Sequence, residues 1–489
     1  MAPTYPGVYV KEEALLPPSV AEVATAIPAF IGYTAIFEGS VPIVAEIGSL
    51  LDFEKQFGKA PAIAYRVKPD ANQLPQLFLP SSATAPPAGG GGAAGGGTPA
   101  AASDVLAPLS IRPNWQLWYS IDFYFRNGGG RCYVVAVGKA TIDGTIYMKD
   151  LKDGLTALEK QDEPTLVVIP EATRLENDEF DDVAKEALNH CAKLMDRFAI
   201  LDVKELANAA PLVSKDDQNA ARKRYGDENL KYGAAYYPFL NTSIPQLIDQ
   251  SLVTVEKALL VGVGAGTDDM KLDSLKNDAN QTGLYNQIIR LLNAQRVTLP
   301  PSPAIAGSYV SVDRTRGVWK APANIGLQAV ISPVDLMTDE RQGMFNIDAT
   351  TGKSINAIRS FTGRGTVAWG ARTLAGNDNE WRYIPVRRLF ITIEESVKKA
   401  TNFAVFEPND ASTWLKMKGM IESYLYSLWE QGALQGSKSE NAYFVNVGLG
   451  KTMTAQDILN GLMNVEIGIA AVRPAEFIIL KFSHRLAQA

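Results

Sequence analysis

The sequence is poor in the residues that most often carry metal and acid–base chemistry: of 489 residues, two are cysteine and two histidine. Cys132 and Cys191 stand far apart and neither belongs to a CxxC pair. That excludes a zinc ribbon or a disulfide framework, and both are expected as buried thiols in a reducing compartment. His190 and His484 have no partner at metal-ligand spacing and neither sits in the context of a general base. A basic surplus is also missing, with 47 Lys and Arg against 53 Asp and Glu and a net charge of −6. A nucleic-acid binder would carry the opposite balance. No apolar run reaches the roughly 20 residues of a membrane-spanning helix. The first apolar run is broken by Pro28 and Gly32 and follows no basic segment. Neither a signal peptide nor direct membrane insertion is therefore expected, and the chain should be made and folded in the cytoplasm.

What is present is apolar material, 46% of residues, in a chain long enough for two or three domains with their own cores. Charge is uneven: residues 310–489 carry 20 basic and 17 acidic side chains, and the rest of the chain 27 and 36. A mildly basic C-terminal part suits a face that meets an acidic partner. The stretch SSATAPPAGGGGAAGGGTPAAAS (81–103) is low-complexity Gly/Ala/Pro sequence that cannot bury a core and reads as a flexible surface insertion. PAFIGYTAIF (28–37) and GGRCYVVAVG (129–138) have strand character, and PTLVVIPEAT (164–173) reads as a strand covered on both faces.

Behind that run, Val183, Ala187, Cys191, Leu194, Met195 and Phe198 recur at helical spacing, with His190 on the polar side or edge of the helix. Phe198–Val203 then reads as a further strand, so the middle of the chain is α/β. Toward the C-terminus, WRYIPVRRLFITIEESVKKATNFAVF suggests a strand feeding a helix that carries Glu394, Glu395, Lys398 and Lys399. In the next helix Trp414, Met417, Ile421, Tyr424, Leu425 and Leu428 line one side, with Lys416, Lys418, Glu422 and Glu430 elsewhere around it. RPAEFIILKFSHRL closes the chain as a strand, with Ile478, Leu480 and Phe482 on one face and Phe477 and Ile479 on the other.

Two stretches imitate a phosphate-binding loop, GLGKT (448–452) and TGKS (351–354). The position where that loop requires a further glycine holds Val445 in one and Ile347 in the other. GVGAGTDD (262–269) has two early glycines but not the GxGxxG spacing. No constellation recommends an enzyme, and no metal or cofactor is expected. At the other end of the chain, Tyr5-Pro6-Gly7-Val8-Tyr9-Val10 reads as a strand too short to stand alone. No hairpin partner follows it before Pro17-Pro18.

Several longer stretches resemble the contractile sheath proteins of phage tails and of related contractile injection particles. They are DRTRGVWKAPAN (313–324), RSFTGRGTVAWGARTL (359–374), RRLFITIEESVKKATNFAVFEPND (387–410) and AYFVNVGLGKTMTAQDILNGLMNVEIGIAAVRPAEFIILKF (442–482). YPGVYVKE (5–12) and PAFIGYTA (28–35) match the family's opening, and the likeness thins through the middle of the chain. The resemblance implies a multidomain protein of class α/β plus α+β. Its inner α+β domain would be completed by strands donated from neighbouring subunits, and its outer domain would be α/β. The expected boundaries are a 1–25 arm, an outer region of 26–60 and 104–380, an insertion over 61–103, and an inner domain over 381–489.

The donated strands would be an N-terminal arm with Tyr5, Val8, Tyr9 and Val10, and a C-terminal strand with Phe477, Ile478, Ile479, Leu480 and Phe482. An open sheet edge filled by another chain would answer why the first strand lacks a partner. Lys398, Lys399, Lys416 and Lys418 are candidates to face an acidic inner tube. The implied partners are further copies of the chain in a helical array, sheath paralogues, the inner tube, and the baseplate and terminal cap, with no nucleic acid. The particle would be a phage tail or a tail-like particle that can be released from the cell. Two other readings stand beside this one, a nucleotide-dependent enzyme resting on GLGKT and a non-contractile tail or shell protein.

Overall fold

A computed structural model of the chain describes residues 20–80, 104–141, 144–205, 210–262, 268–348 and 350–479. Residues 24–387 form one compact unit, and residues 20–23 with 388–479 belong to a second.

The larger unit is organised by a nine-stranded sheet. In spatial order its strands are Ile325–Gly326, Gly365–Ala368, Ile355–Phe361, Gly233–Tyr237, Phe198–Asp202, Leu166–Val168, Pro28–Thr34, Cys132–Lys139 and Ile43–Ile47. The six strands from Ile355–Phe361 to Cys132–Lys139 run parallel, and antiparallel strands flank them on both sides. Central strands such as Pro28–Thr34 and Phe198–Asp202 are buried along their whole length, the signature of a parallel sheet covered on both faces. A Cβ on Gly154 of the Met148–Leu158 helix would meet Ile31, Val135 and Val137, and one on Gly32 would meet Leu117. Adjacent residues of one strand therefore face helices on opposite sides of the sheet.

A four-stranded sheet (Val330–Pro333, Leu240–Pro245, Arg296–Leu299, Ser110–Ile111) and a five-stranded sheet complete this unit. The five-stranded sheet has its own core, in which Tyr65, Val67, Leu77, Val253 and Val255 pack with Leu272, Leu275, Ile288 and Leu292.

The strand–helix–strand unit expected around residue 180 is present as Leu166–Val168, Asn177–Leu194 and Phe198–Asp202, with the two strands paired in parallel. Its details differ from the periodicity reading. Met195 ends the helix in a left-handed conformation with its side chain exposed, and Phe198 belongs to the strand. His190 is not on a polar side: it is 3% exposed, with Nε2 3.3 Å from the Arg197 guanidinium. Burial and that neighbouring cation push its pKa down to about 4, so the imidazole is neutral. Both cysteines are buried as expected. Residues 61–80, assigned to the insertion on composition, carry the antiparallel strands Tyr65–Pro69 and Pro75–Leu79, so the ordered region extends further than the sequence suggested. The tract 81–103 lies outside the described residues.

In the smaller unit, the strand expected ahead of the 390s is absent. Ile384–Thr401 is one helix, which starts in the larger unit and continues through the boundary at Arg388. Its first turns bury Ile384, Val386, Arg387, Arg388 and Leu389 all round. A segment buried on all sides, here with two arginines among its apolar residues, is compatible with a strand or with a fully buried helix, and Pro385 in the first turn suits the helix. The Ala411–Glu430 helix begins at Asp410, whose carboxylate accepts the Thr413 N–H at 3.0 Å, a cap that contributes about 1 kcal/mol. It buries Met417, Ile421, Tyr424, Leu425 and Leu428, the stripe read from the sequence, with Trp414 half-buried.

Candidate assembly interface in the smaller unit

The only β-structure named in the smaller unit, among the described residues, is the hairpin of Tyr443–Val447 and Val465–Ile469. Tyr443, Val445 and Val447 lie opposite Ile469, Ile467 and Val465, so six apolar residues share one face. Val445 and Val447 are buried, whereas Val465, Ile467 and Ile469 remain half-buried. Two strands are too few for a stable sheet in water, and the half-covered apolar face shows where more cover would be gained.

Beyond the hairpin the chain stays tethered for three residues. The Gln435 N–H donates to the Ala470 carbonyl at 2.7 Å, Leu434 and Ala471 form a bridge, and the Val472 N–H donates to the Ala433 carbonyl at 3.2 Å. Residues 473–479 then belong to no strand. Phe477, Ile478 and Ile479 are 65%, 79% and 80% exposed. Three consecutive large apolar side chains in water are costly for a chain that ends its folding here. Leu480 and Phe482, and the arm residues Tyr5, Val8, Tyr9 and Val10, lie outside the described residues. The inner end of the N-terminal segment is placed: the Val23 N–H donates to Ser396 Oγ at 3.1 Å on the Ile384–Thr401 helix.

The four lysines separate into two groups. Lys398 and Lys399 both lean on the buried Glu395 carboxylate, at 3.7 and 3.0 Å, and Lys418 lies 3.5 Å from Glu422. The Lys418 pair is partly exposed on both sides, and such a pair contributes little to stability and is easily exchanged for another partner, whereas Glu395 is a buried carboxylate that the other two lysines neutralise. Lys416 is exposed and makes no ion pair among the described residues.

Neither phosphate-loop imitation has the geometry of one. In GLGKT the N–H groups of Lys451, Thr452 and Met453 all turn inward to the Gly448 carbonyl at 3.1–3.2 Å, and the Gly450 N–H donates to the Met453 carbonyl at 2.9 Å. The backbone donors that would have to cradle a phosphate are therefore turned into the loop itself. In TGKS, Lys353 is 2% exposed with Nζ 2.8 Å from Asp227, and Ser354 Oγ donates to the Asn346 carbonyl.

One surface feature went unread in the sequence. Phe406 is fully exposed and held at φ +69°, next to the exposed Val405. A bulky residue in that region is strained by about 1–3 kcal/mol. The available signal was the apolar run Phe403–Phe406 ahead of Pro408, a place where a helix must end.

The smaller unit thus presents a two-stranded hairpin with a half-covered apolar face and an exposed apolar segment at residues 477–479. The phage tail sheath C-terminal domain family matches residues 376–485. The tail sheath protein of Vibrio phage KVP40 is 28% identical over 156 residues, 31% of this chain and 22% of that protein. The tail sheath protein of Enterobacteria phage T4 is 25% identical over 149 residues, 30% of this chain and 21% of that protein. The chain thus matches about a fifth of the length of these phage relatives. Among solved structures, the PVC sheath of an extracellular contractile injection system in its contracted state is 30% identical. It covers 99% of this chain and 98% of its own, with a TM-score of 0.62. The helical sheath of the anti-feeding prophage, also contracted, is 31% identical with a TM-score of 0.61, covering 98% of this chain and 99% of its own. The chain belongs to the contractile tail sheath family, and its α/β plus α+β architecture is that of the injection-system sheaths.

Proposed function

We propose that this chain polymerises as stacked helical rings around an inner tube and contracts from a metastable extended state, driving the tube through a target envelope. The observation that carries this reading is the similarity, over nearly the whole of both chains, to a sheath solved in its contracted state. Head-to-tail contacts that do not close generate an open helical array. Two packings of one subunit, separated by a barrier, let such an array store energy at assembly and release it cooperatively. No nucleotide is needed, in keeping with the consumed donors of GLGKT.

The arms are the tethers in this scheme. An N-terminal strand with Tyr5, Val8, Tyr9 and Val10 and a C-terminal strand with Phe477 to Phe482 each extend a neighbour's Tyr443–Val447 and Val465–Ile469 hairpin. Backbone pairing supplies affinity, and the half-covered face supplies apolar burial. Lys416, with Lys398, Lys399 and Lys418 releasing their intrachain partners, faces the tube through modest, salt-sensitive pairs. The domain scheme follows: a 1–25 arm, an inner domain from about 381, and the larger unit facing outward. The partners are the chain itself, sheath paralogues, the inner tube, and the baseplate and terminal cap. Assembly takes place in the cytoplasm before the particle is released.

Negative-stain electron microscopy of the purified chain beside a variant lacking residues 1–12 tests the reading. Striated tubes from the full chain and none from the truncation are expected. Tubes from both would remove the role of the arm, and a single fixed lattice in every condition would favour the non-contractile reading. Should the full chain stay monomeric, co-expression with the tube protein is the deciding experiment. Failure to form tubes there too would sink the proposal.

A further inference from the structure

The parallel strands of the larger unit have an order that marks a ligand crevice. Numbered along the chain as Pro28–Thr34, Cys132–Lys139, Leu166–Val168, Phe198–Asp202 and Gly233–Tyr237, they stand side by side as 2-1-3-4-5. In doubly wound sheets of this order, ligands bind beyond the carboxyl ends of the strands where the order reverses, between the first and third strands. A phosphate bound there sits on backbone N–H groups at a helix N-terminus, beside a glycine that allows close approach. Every one of those parts is present. Gly32 and Tyr33 lie toward the carboxyl end of the first strand, and the ten-residue helix Leu117–Arg126 starts with a Gln116 that provides no side-chain cap.

The place is already taken. From the third strand the chain enters the short turn Pro170–Arg174, which carries Glu171, a residue with 0% exposure. Its Oε2 accepts the Tyr33 N–H at 2.8 Å, and its Oε1 accepts the N–H groups of Gln116 at 3.0 Å and Leu117 at 3.2 Å. Arg174, on the same turn, donates to the Pro113 carbonyl at 3.1 Å and to Asn114 Oδ1 at 3.2 Å, which fixes the segment ahead of the helix. A Cβ on residue 32 would lie 2.7 Å from Glu171 Oε2, so this approach requires glycine. Burial raises the Glu171 carboxyl to about 7, against the pull of these three bonds, so it is ionised above that pH. All three hydrogen bonds come from N–H donors, which a carboxylate accepts and a neutral amide or carboxylic acid satisfies only in part.

We propose that Glu171 is an internal anion, occupying the position where a doubly wound domain would hold a phosphate. It caps the Leu117–Arg126 helix and closes the crevice from within. The role is separate from sheath assembly: it makes a nucleotide-type scaffold into a ligand-free structural body. Emptying the position should therefore expose a site for small oxyanions.

The experiment is thermal unfolding at about pH 8.5, where Glu171 is ionised, of the full chain and of Glu171→Ala, each with sodium formate or inorganic phosphate, and with sodium chloride at equal ionic strength. Glu171→Ala should unfold at least about 5 °C lower, since three charge-assisted bonds are lost. Formate or phosphate should raise the variant's transition by several degrees more than it raises the wild type, and chloride should not. An unchanged transition, or equal anion shifts in both proteins, would overturn the assignment. If Glu171→Ala does not fold, Gly32→Ala is compared in the wild-type and Glu171→Ser backgrounds. The added methyl meets Leu117 at 3.3 Å in both backgrounds and should cost clearly more where the Glu171 carboxylate is present; equal costs would refute the proposal.

Discussion

Asp202 and Ser302, a hundred residues apart, share a buried junction: Asp202 Oδ1 accepts the Ser302 N–H at 2.7 Å, and Oδ2 accepts the Ser302 hydroxyl. The carboxylate ends the Phe198–Asp202 strand, and the serine opens the Ser302–Arg316 helix behind Pro301. One buried acid thus joins the sheet to the N-terminus of a helix that offers it partial positive charge.

That junction sets a pH dependence. Burial raises the Asp202 carboxyl to about 7, against the pull of its two bonds from Ser302. The folded chain therefore keeps a proton that the unfolded chain loses near pH 4. This contribution to stability is fully present below pH 4 and is lost as pH rises through about 7, with a slope of about 1.4 kcal/mol per pH unit. Asp202→Asn should flatten the wild-type curve by one proton's worth between pH 4.5 and 7, measured by urea unfolding. Parallel curves for the two proteins would show that Asp202 is ionised throughout that range.

Phe406 makes a prediction opposite to the usual one for an aromatic residue. Replacing a core phenylalanine costs about 3–5 kcal/mol. Here the side chain is fully exposed and the backbone is at φ +69°, so Phe406→Gly removes strain and no burial. The isolated subunit should be unchanged or stabilised by as much as about 1 kcal/mol, after the extra chain entropy of glycine is offset. If tube formation falls at the same time, the ring is an interface element. A clear loss of subunit stability would mean that it packs within the chain.

The low-complexity tract can be bypassed, because its two ends meet. Leu79 pairs with Val105, and Phe78 with Leu106, in the antiparallel ladder that brackets residues 81–103. Asp104 also anchors the far side through Lys68 at 2.9 Å. Strand ends already in register need only a tight turn, and loop length alters stability slowly. Replacing 81–103 by a short Asn-Gly turn should leave the unfolding midpoint within a few degrees of wild type and leave tube formation intact. Loss of tubes with an unchanged midpoint would give the tract an assembly role.

Much of this fold was legible because its signals were local. Leu166–Val168 and Phe198–Asp202 announced themselves as continuous apolar runs, and the Met417–Leu428 stripe had helical spacing. Ile384–Thr401 misled for the same reason, since a run buried on all sides has no periodicity to read. His190 was misplaced because the element covering it, with Arg197 between, comes from a turn beyond its own helix. Glu171 could not be found at all. Its donors come from residues 33, 116 and 117, and only the completed sheet brings them to one point. The strand expected at the C-terminus is not formed over its described part, where Phe477, Ile478 and Ile479 are exposed and belong to no strand.

That tail supports the sharpest separation of folding from assembly. Ile478 is 79% exposed between two exposed neighbours, so a polar replacement removes little burial from the isolated chain. Ile478→Asp should leave the subunit's unfolding midpoint within about 0.5 kcal/mol of wild type, the ordinary range for surface substitutions. In a neighbour's sheet the same aspartate would be buried without a partner, at a cost of several kcal/mol per subunit repeated along the array. Tubes should therefore be lost or need a much higher protein concentration, as read by sedimentation and electron microscopy. A variant that forms tubes at the wild-type concentration would place Ile478 outside the donated strand. One that unfolds early would show that the tail folds back on its own chain.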